Sequence, residues 1–185
     1  MTFGRHWIAV AAVVPLLVLG ACSQDDPQPK FSPPSDSPSA SESTPTEPGV
    51  RPWEKKTRKG AVAFSDHWLS SFNDAATSGD TGELLKLSTR DCETCSNFVS
   101  AIKRIHEGGG SFESTGWKLK GFSFAASGIS DRVSLALTIH QPAEVTRRPG
   151  EQPDRTRPGD VSYQADLVWE EDQWRMDELF YVGDA

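Results

Sequence analysis

Residues 61–75 read A-V-A-F-S-D-H-W-L-S-S-F-N-D-A, and their apolar side chains recur every three or four positions. This period places those side chains on a single face of an α-helix. The face consists of Ala61, Phe64, Trp68, Phe72 and Ala75. Gly79 follows the stretch and is expected to end the helix, because glycine readily adopts the left-handed conformation of a helix C-terminus. The stretch therefore predicts one long helix with a strongly aromatic face.

Two more helices are predicted after Gly79. The first is short and carries Leu84 and Leu87. The second begins near Asp91 and ends before the glycines at 108–110. Its apolar face consists of Cys95, Phe98, Ile102 and Ile105.

Beyond residue 110 the apolar period falls from about 3.6 to about 2, which is typical of β-strands. Alternation predicts strands around residues 117–124, 133–139, 161–169 and 174–181. A change of phase at Gly121 indicates a β-bulge, and the arginine- and proline-rich segment 142–160 is interpreted as a long mobile hairpin connection. The fold class is therefore α+β, with three N-terminal helices packed on a curved antiparallel sheet of about four strands.

The N-terminal region predicts export. Residues 8–19 are apolar apart from Pro15, but as a helix they span about 18 Å, short of the ~30 Å hydrocarbon core, so they are interpreted as the core of a signal peptide. Leu19-Gly20-Ala21-Cys22 then resembles the lipobox of bacterial lipoproteins. The resemblance implies cleavage before Cys22 and a diacylglyceryl thioether with palmitate-type chains, and two chains anchor stably. The alternative is an ordinary signal peptide with a chance cysteine.

Three segments are predicted along the chain: a lipoprotein signal peptide over residues 1–21, the lipidated cysteine with a disordered linker over 22–53, and one folded domain over 54–185. The linker is rich in Ser and Pro and too poor in apolar side chains to offset the entropy of ordering. As a flexible chain it would span about 30 Å on average. It is a plain tether or, alternatively, an O-glycosylated stalk.

The folded domain resembles two known groups. Its ending, L-V-W-E-E-D-Q-W-R-M at 167–176, is similar to the last hairpin of nuclear-transport-factor-2-like (NTF2-like) cone domains, which implies that fold. Over residues 60–182 it also resembles a family of actinobacterial lipoproteins of unknown function. That resemblance is carried by Gly60-Ala61, Phe64, Trp68, T-S-G-D at 77–80, Leu87-Ser88 and C-E-T-C at 92–95.

The cysteine pair is the most specific chemical pattern in the sequence. With Cys22 lipidated, Cys92 and Cys95 form an even pair, and in an oxidising exported setting the default is a disulfide that staples the third helix. A dithiol redox site is the alternative, although Asp91 and Glu93 would disfavour a thiolate. A metal site would need two more ligands, and the histidines are scattered. No metal or cofactor is therefore predicted.

A pocket between the sheet and the first helix is common in cone-type domains, and its predicted residues here are Tyr163, His67 and Trp68. His140 and Asp166 are also polar candidates, but they alternate out of phase with the apolar strand face. No acid–base pair, Ser/His/Asp set or nucleotide-binding motif is present. No catalytic residue is therefore predicted.

The preferred function is a non-catalytic, lipid-anchored domain on the extracytoplasmic face of the cell membrane that binds a ligand, another envelope protein or a cell-wall polymer. The alternatives are a small-molecule enzyme using Tyr163 or His67, and a thiol oxidoreductase using Cys92 and Cys95. The net charge of −7 argues against nucleic acid. Five basic residues cluster just before the first helix: Arg51, Lys55, Lys56, Arg58 and Lys59. They are expected either to be a solvated segment that precedes the helix or to contact anionic lipids or polymers.

Overall fold

The computed structural model describes residues 49–185. The predicted signal peptide, the lipidation site Cys22 and nearly all of the predicted linker lie outside the described residues. In this part of the chain, a 3-10 turn (Pro52–Glu54) precedes three helices: α1 (Arg58–Ser78), α2 (Gly82–Lys86) and α3 (Glu93–Glu107). Among the described residues, no helix has the length and apolar character needed to cross a membrane.

Helix α1 has the C-terminal end and the buried face that its sequence predicts, and it begins at Arg58, three residues before that face. The Thr57 hydroxyl caps the first turn by accepting a hydrogen bond from the Gly60 N–H (2.9 Å). Gly79 ends the helix in the left-handed region (φ 82°), and its N–H donates to the Ala75 carbonyl (2.8 Å). The predicted apolar face is buried throughout: Ala61, Phe64, Trp68, Phe72 and Ala75.

Within residues 49–185, seven strands follow the helices, so the prediction of about four strands is wrong. They are β1 (Ser111–Glu113), β2 (Lys118–Phe124), β3 (Arg132–Gln141), β4 (Glu144–Arg147), β5 (Asp154–Thr156), β6 (Gly159–Glu170) and β7 (Gln173–Asp184). They form two antiparallel sheets, a main sheet of order β2-β3-β6-β7 and a second sheet of order β1-β4-β5. The domain is therefore mixed α+β, as predicted, with a second sheet that was not predicted.

The second sheet corrects the interpretation of segment 142–160 as a connection without structure of its own. Strand β4 pairs with β1 on one side and with β5 on the other. Arg147 in β4 also forms an ion pair with Glu113 in β1 (Nε–Oε1 2.5 Å). These strands are three or four residues long and none of their residues is fully buried. Because they bury neither face completely, they have no alternating apolar pattern for sequence reasoning to detect.

The main sheet matches the predicted alternation. Its β2–β3 register shifts between Leu119 and Gly121, which confirms the predicted bulge. The β6–β7 hairpin turns through Glu171 (φ 49°) and Asp172 (φ 61°), the pair of left-handed residues that a two-residue type I′ turn requires. The sheet face that packs on α1 and α3 is apolar; its buried residues include Leu135, Leu137, Ile139, Ala165, Leu167, Met176 and Leu179.

The chain enters the domain next to Gly60 and β7. The Lys55 carbonyl accepts a hydrogen bond from the Trp174 indole N–H (3.0 Å). The same carbonyl approaches Gly60 so closely that a Cβ at position 60 would lie 1.9 Å from the oxygen. Glycine at position 60 therefore permits the contact that ties the start of the domain to its last strand.

Candidate functional site

Trp68, predicted to line a pocket, belongs instead to the closed core. Its side chain is 0% exposed and stacks on Phe72, with ring centroids 6.1 Å apart. The indole N–H donates to the Ser88 hydroxyl (3.0 Å), which in turn donates to the Leu84 carbonyl (2.9 Å). The indole nitrogen, which is the polar atom of this buried side chain, is therefore already engaged in a structural hydrogen bond.

His67 lies on a different face of α1 and stacks on Trp53, with ring centroids 4.3 Å apart. Burial lowers the pKa of the imidazole below its ordinary value, so His67 is uncharged at neutral pH. Its contact joins the 3-10 turn to α1, which is a structural role.

Tyr163 points to the inner side of the main sheet, as its phase predicts. Its hydroxyl accepts a hydrogen bond from the Gln141 side-chain amide (3.1 Å), and its ring lies 5.9 Å from that of Trp117. Burial raises the pKa of the phenol above its ordinary value, so the hydroxyl stays protonated at neutral pH. The ring of Tyr163 therefore packs next to that of Trp117.

His140 and Asp166 each contact a polar side chain on the neighbouring strand of the main sheet. The Nδ1 of His140 lies 2.6 Å from a carboxylate oxygen of Asp160, and the Ser134 hydroxyl donates to Asp166 (2.6 Å). The five candidates from the sequence are therefore engaged in separate contacts, and they do not converge on one site.

The structure instead places a cavity of about 180 Å³ where α1 and α3 meet the end of β1 and the start of β4. Its walls are mainly apolar, and one lining residue, Glu144, is titratable. The lining consists of Phe72, Asn73, Ala76, Thr77, Phe98, Ala101, Ile102, Phe112, Ser114, Gly116, Trp117 and Glu144. A small concave apolar space with few polar groups has the character of a ligand site.

Trp117 is the organising side chain of this cavity. Asn73 on α1 clamps its backbone, accepting from the Trp117 N–H (2.8 Å) and donating to the Trp117 carbonyl (2.9 Å). The indole ring packs on Phe72 (4.7 Å between centroids) and edge-on against Phe98 (5.8 Å). Its N–H donates to the Glu144 carboxylate (3.0 Å). Three elements thus hold one indole at the wall of the cavity.

Glu144 retains binding capacity beyond its bond to Trp117. Its Oε1 accepts the indole N–H, while its Oε2 receives no hydrogen bond and forms no ion pair within residues 49–185. A carboxylate accepts several hydrogen bonds, so a ligand in the cavity could donate to the free oxygen. With no second acid or base among the lining residues, the arrangement supports binding and orientation of a ligand more readily than proton transfer.

Sequence reasoning missed Asn73, Glu144 and the role of Trp117. In the sequence, Asn73 lies within the predicted first helix, Trp117 begins a predicted strand, and Glu144 lies in the segment interpreted as a connection. The hydrogen-bonded partners are separated by 44 and 27 positions in the chain. No local pattern reports such contacts, because they arise only when the segment that enters β2 packs between α1 and β4.

Cys92 and Cys95 are within disulfide distance, with the sulfurs 1.98 Å apart. The pair lies at the N-terminus of α3 and is almost completely buried, with Cys92 0% and Cys95 2% exposed. The Glu178 carboxylate covers this end of the helix by accepting from the Glu93 and Thr94 N–H groups (3.4 Å each). Burial under a carboxylate favours a structural staple over a reactive thiol pair. The described residues contain no group of three potential metal ligands.

Replacing both cysteines by serine is expected to lower the free energy of unfolding by about 2 kcal/mol, the loop-closure entropy of so short a loop. Urea unfolding of the chain with Cys22→Ala, in which only this pair remains, measures the change. The same protein should resist labelling by a thiol-alkylating reagent in mild reductant until urea unfolds it. Rapid labelling of the folded protein would contradict the staple and favour thiol chemistry.

The fold and the cavity together define a class of protein: a mixed α+β domain with two antiparallel sheets and a small apolar cavity between its helices and its strands. The chain belongs to a family of unknown function, DUF6318, whose model matches residues 34–179. No curated protein matches the sequence.

Several solved structures have a similar chain path. The β subunit of benzoate 1,2-dioxygenase from Burkholderia mallei is 10% identical with a TM-score of 0.49, and the match covers 70% of this chain and 92% of that one. The intermembrane space region of the chloroplast protein ARC6 is 12% identical with a TM-score of 0.48, covering 70% and 99%. A nuclear transport factor 2 (NTF2-like) superfamily protein from Salmonella enterica serovar Typhimurium is 10% identical with a TM-score of 0.42, covering 68% and 93%. None of these likenesses carries an activity to this chain.

Proposed function

We propose that this protein is a lipoprotein anchored through Cys22 to the extracytoplasmic face of the cell membrane, and that its folded domain binds a small ligand without catalysis. The observation that carries the ligand-binding part is the apolar cavity with a single carboxylate that has a free oxygen. The anchoring part is supported by the lipobox resemblance at residues 19–22 and by the resemblance to actinobacterial lipoproteins.

The volume of the cavity limits the ligand. About 180 Å³ is smaller than the ~300 Å³ at which drug-sized sites begin. The ligand is therefore a single small ring or a short branched chain, buried against Phe72, Phe98 and Trp117.

The residues that line the cavity indicate which polar group the ligand carries. Glu144 accepts hydrogen bonds and carries negative charge, and aromatic rings attract cations through their π faces. An anionic ligand would meet an unneutralised carboxylate in an apolar setting, which is costly. A small apolar compound with an ammonium or hydroxyl group fits best.

Isothermal titration of the chain from residue 22 onward, carrying Cys22→Ala, with benzylamine, benzyl alcohol and benzoate tests this proposal. We expect benzylamine to bind most tightly and benzoate not to bind. Glu144→Gln should weaken benzylamine about tenfold, the contribution of a charged hydrogen bond, and leave benzyl alcohol nearly unchanged.

A matched pair of variants on α3 locates the binding. Ala101 lines the cavity, so Ala101→Leu should fill the space and abolish binding of benzylamine. Ser100 is exposed on the same helix, so Ser100→Leu should leave binding intact. If none of the three compounds binds, or if Ala101→Leu binds like the parent chain, ligand binding in this cavity is wrong.

No observation favours either alternative function. Tyr163 and His67 lie in separate contacts, which weakens the enzyme hypothesis, and the burial of Cys92 and Cys95 weakens the oxidoreductase hypothesis. Binding of another envelope protein or of a cell-wall polymer stays an expectation from the sequence.

A further inference from the structure

An open apolar groove of about 540 Å³ lies between the first turns of α1 and the edge strand β2. We call it the α1–β2 groove; it is lined by Arg58, Lys59, Val62, Ala63, Phe122 and Phe124. Phe122 faces the inner side of the sheet, as does its ladder partner Leu137, yet it is 53% exposed. The groove is therefore an apolar surface of the domain that the fold itself does not close.

The apolar surface continues along the chain from the groove. Residues 121–130 read G-F-S-F-A-A-S-G-I-S and contain no charged side chain. Ile129 in this stretch is 41% exposed. A second cavity, of about 370 Å³, runs along residues 124–134 and shares Phe124 with the groove. Exposed apolar surface of this extent commonly marks an interaction site.

The charged residues that line the groove, Arg58 and Lys59, are both basic, although the whole chain has a net charge of −7, and the nearby Asp131 is ion-paired with Lys56. Neither cavity has an acidic residue in its lining. Arg58 is held in place, with its guanidinium 3.8 Å above the Phe124 ring and its Nη1 donating to the Ala126 carbonyl (2.6 Å). Lys59 forms no ion pair among the described residues.

The position of the groove relative to the chain terminus points to one occupant. The described chain begins at Gly49 and enters α1 at Arg58, which lines the groove. The N-terminal segment, with its predicted anchor at Cys22, therefore joins the domain beside the basic and aromatic surface. From these observations we infer that the α1–β2 groove docks on an anionic phospholipid surface, with Phe122 and Ile129 at the acyl boundary and Lys59 and Arg58 among the head groups.

This docking goes beyond the lipid anchor and is testable without it. The chain from residue 22 onward with Cys22→Ala carries no lipid, and sedimentation with phosphatidylglycerol or phosphatidylcholine vesicles measures its partition. We expect clear binding to phosphatidylglycerol that weakens with salt, and little binding to phosphatidylcholine. Lys59→Gln should weaken binding about fivefold, the effect of one basic residue near an anionic surface. Phe122→Ser should weaken it roughly five- to tenfold by removing the buried ring.

Two control variants separate the groove from a general surface effect. Lys103 is exposed on α3, and Leu85 is 46% exposed on α2. Lys103→Gln and Leu85→Ser should leave vesicle binding unchanged, and circular dichroism confirms that all four variants are folded. Absence of binding to phosphatidylglycerol, or equal losses in the control variants, would overturn the inference. Tighter binding to soluble polyphosphate that Phe122→Ser does not affect would also overturn it, in favour of an anionic polymer as the partner.

Discussion

Replacement of Trp68 by alanine is expected to lower the free energy of unfolding by about 3–5 kcal/mol, the usual cost of removing a large aromatic side chain from a core. The side chain is completely buried and contacts Phe72 and Phe98. Its removal would leave a cavity and deprive the buried Ser88 hydroxyl of its donor. Because domains of this kind have a total stability of about 5–15 kcal/mol, the loss would take a large share of it. Urea unfolding followed by circular dichroism measures the difference.

Two further variants divide this loss into its causes. Trp68→Phe keeps most of the ring but removes the indole N–H, and Ser88→Ala removes the hydroxyl with Trp68 intact. Each should cost about 1–2 kcal/mol, clearly less than Trp68→Ala. As a control, Trp169 is only partly buried, and Trp169→Ala should cost less than Trp68→Ala. A loss below about 1 kcal/mol for Trp68→Ala would contradict the core role of this residue.

Replacement of Cys22 by alanine is expected to release the protein from the membrane almost completely. The sulfur of Cys22 is the predicted attachment point of two acyl chains, and two chains give stable anchoring where one does not. Fractionation of cells that produce the parent and variant chains measures the effect, and intact mass spectrometry of the detergent-extracted parent should give the mass of residues 22–185 plus lipid. The weaker docking inferred for the α1–β2 groove would leave a small residual membrane fraction, and this fraction should decrease with Lys59→Gln.

The neighbouring residue provides the matched control. Ser23→Ala should leave the protein in the membrane fraction, because the modified atom in the prediction is the sulfur of Cys22. The double replacement of Cys92 and Cys95 by serine should also leave it there. If the Cys22→Ala chain stays in the membrane fraction while Lys59→Gln has no effect, both the lipid anchor and the groove contact are wrong.

The cavity and the groove would give the domain two separate functions. The groove lies beside the chain entry at Arg58, whereas the cavity opens where α3 meets β1 and β4. Filling the cavity with Ala101→Leu should therefore leave vesicle binding intact, and Phe122→Ser should leave benzylamine binding intact. This independence allows each proposal to fail without the other.

The sequence by itself determined the elements whose burial is local and periodic. The face of α1 repeats every three or four residues because one side of a helix must be apolar to pack on a sheet. The alternation in β3 and β6 follows from a sheet with one covered face, and the change of phase at Gly121 correctly located the bulge. The sequence also predicted the pairing of Cys92 with Cys95, which are within disulfide distance.

Only the tertiary structure decided which residues form the second sheet and the cavity. Strands β1, β4 and β5 are short and incompletely buried, so their stability comes from pairing across the chain rather than from any pattern within it. Trp117, Asn73 and Glu144 are ordinary residues in their own segments, and they become a candidate site through hydrogen bonds that span 44 and 27 positions. Such contacts depend on how the helices and strands pack, and for that reason the pocket predicted at Tyr163, His67 and Trp68 did not coincide with the cavity around Trp117.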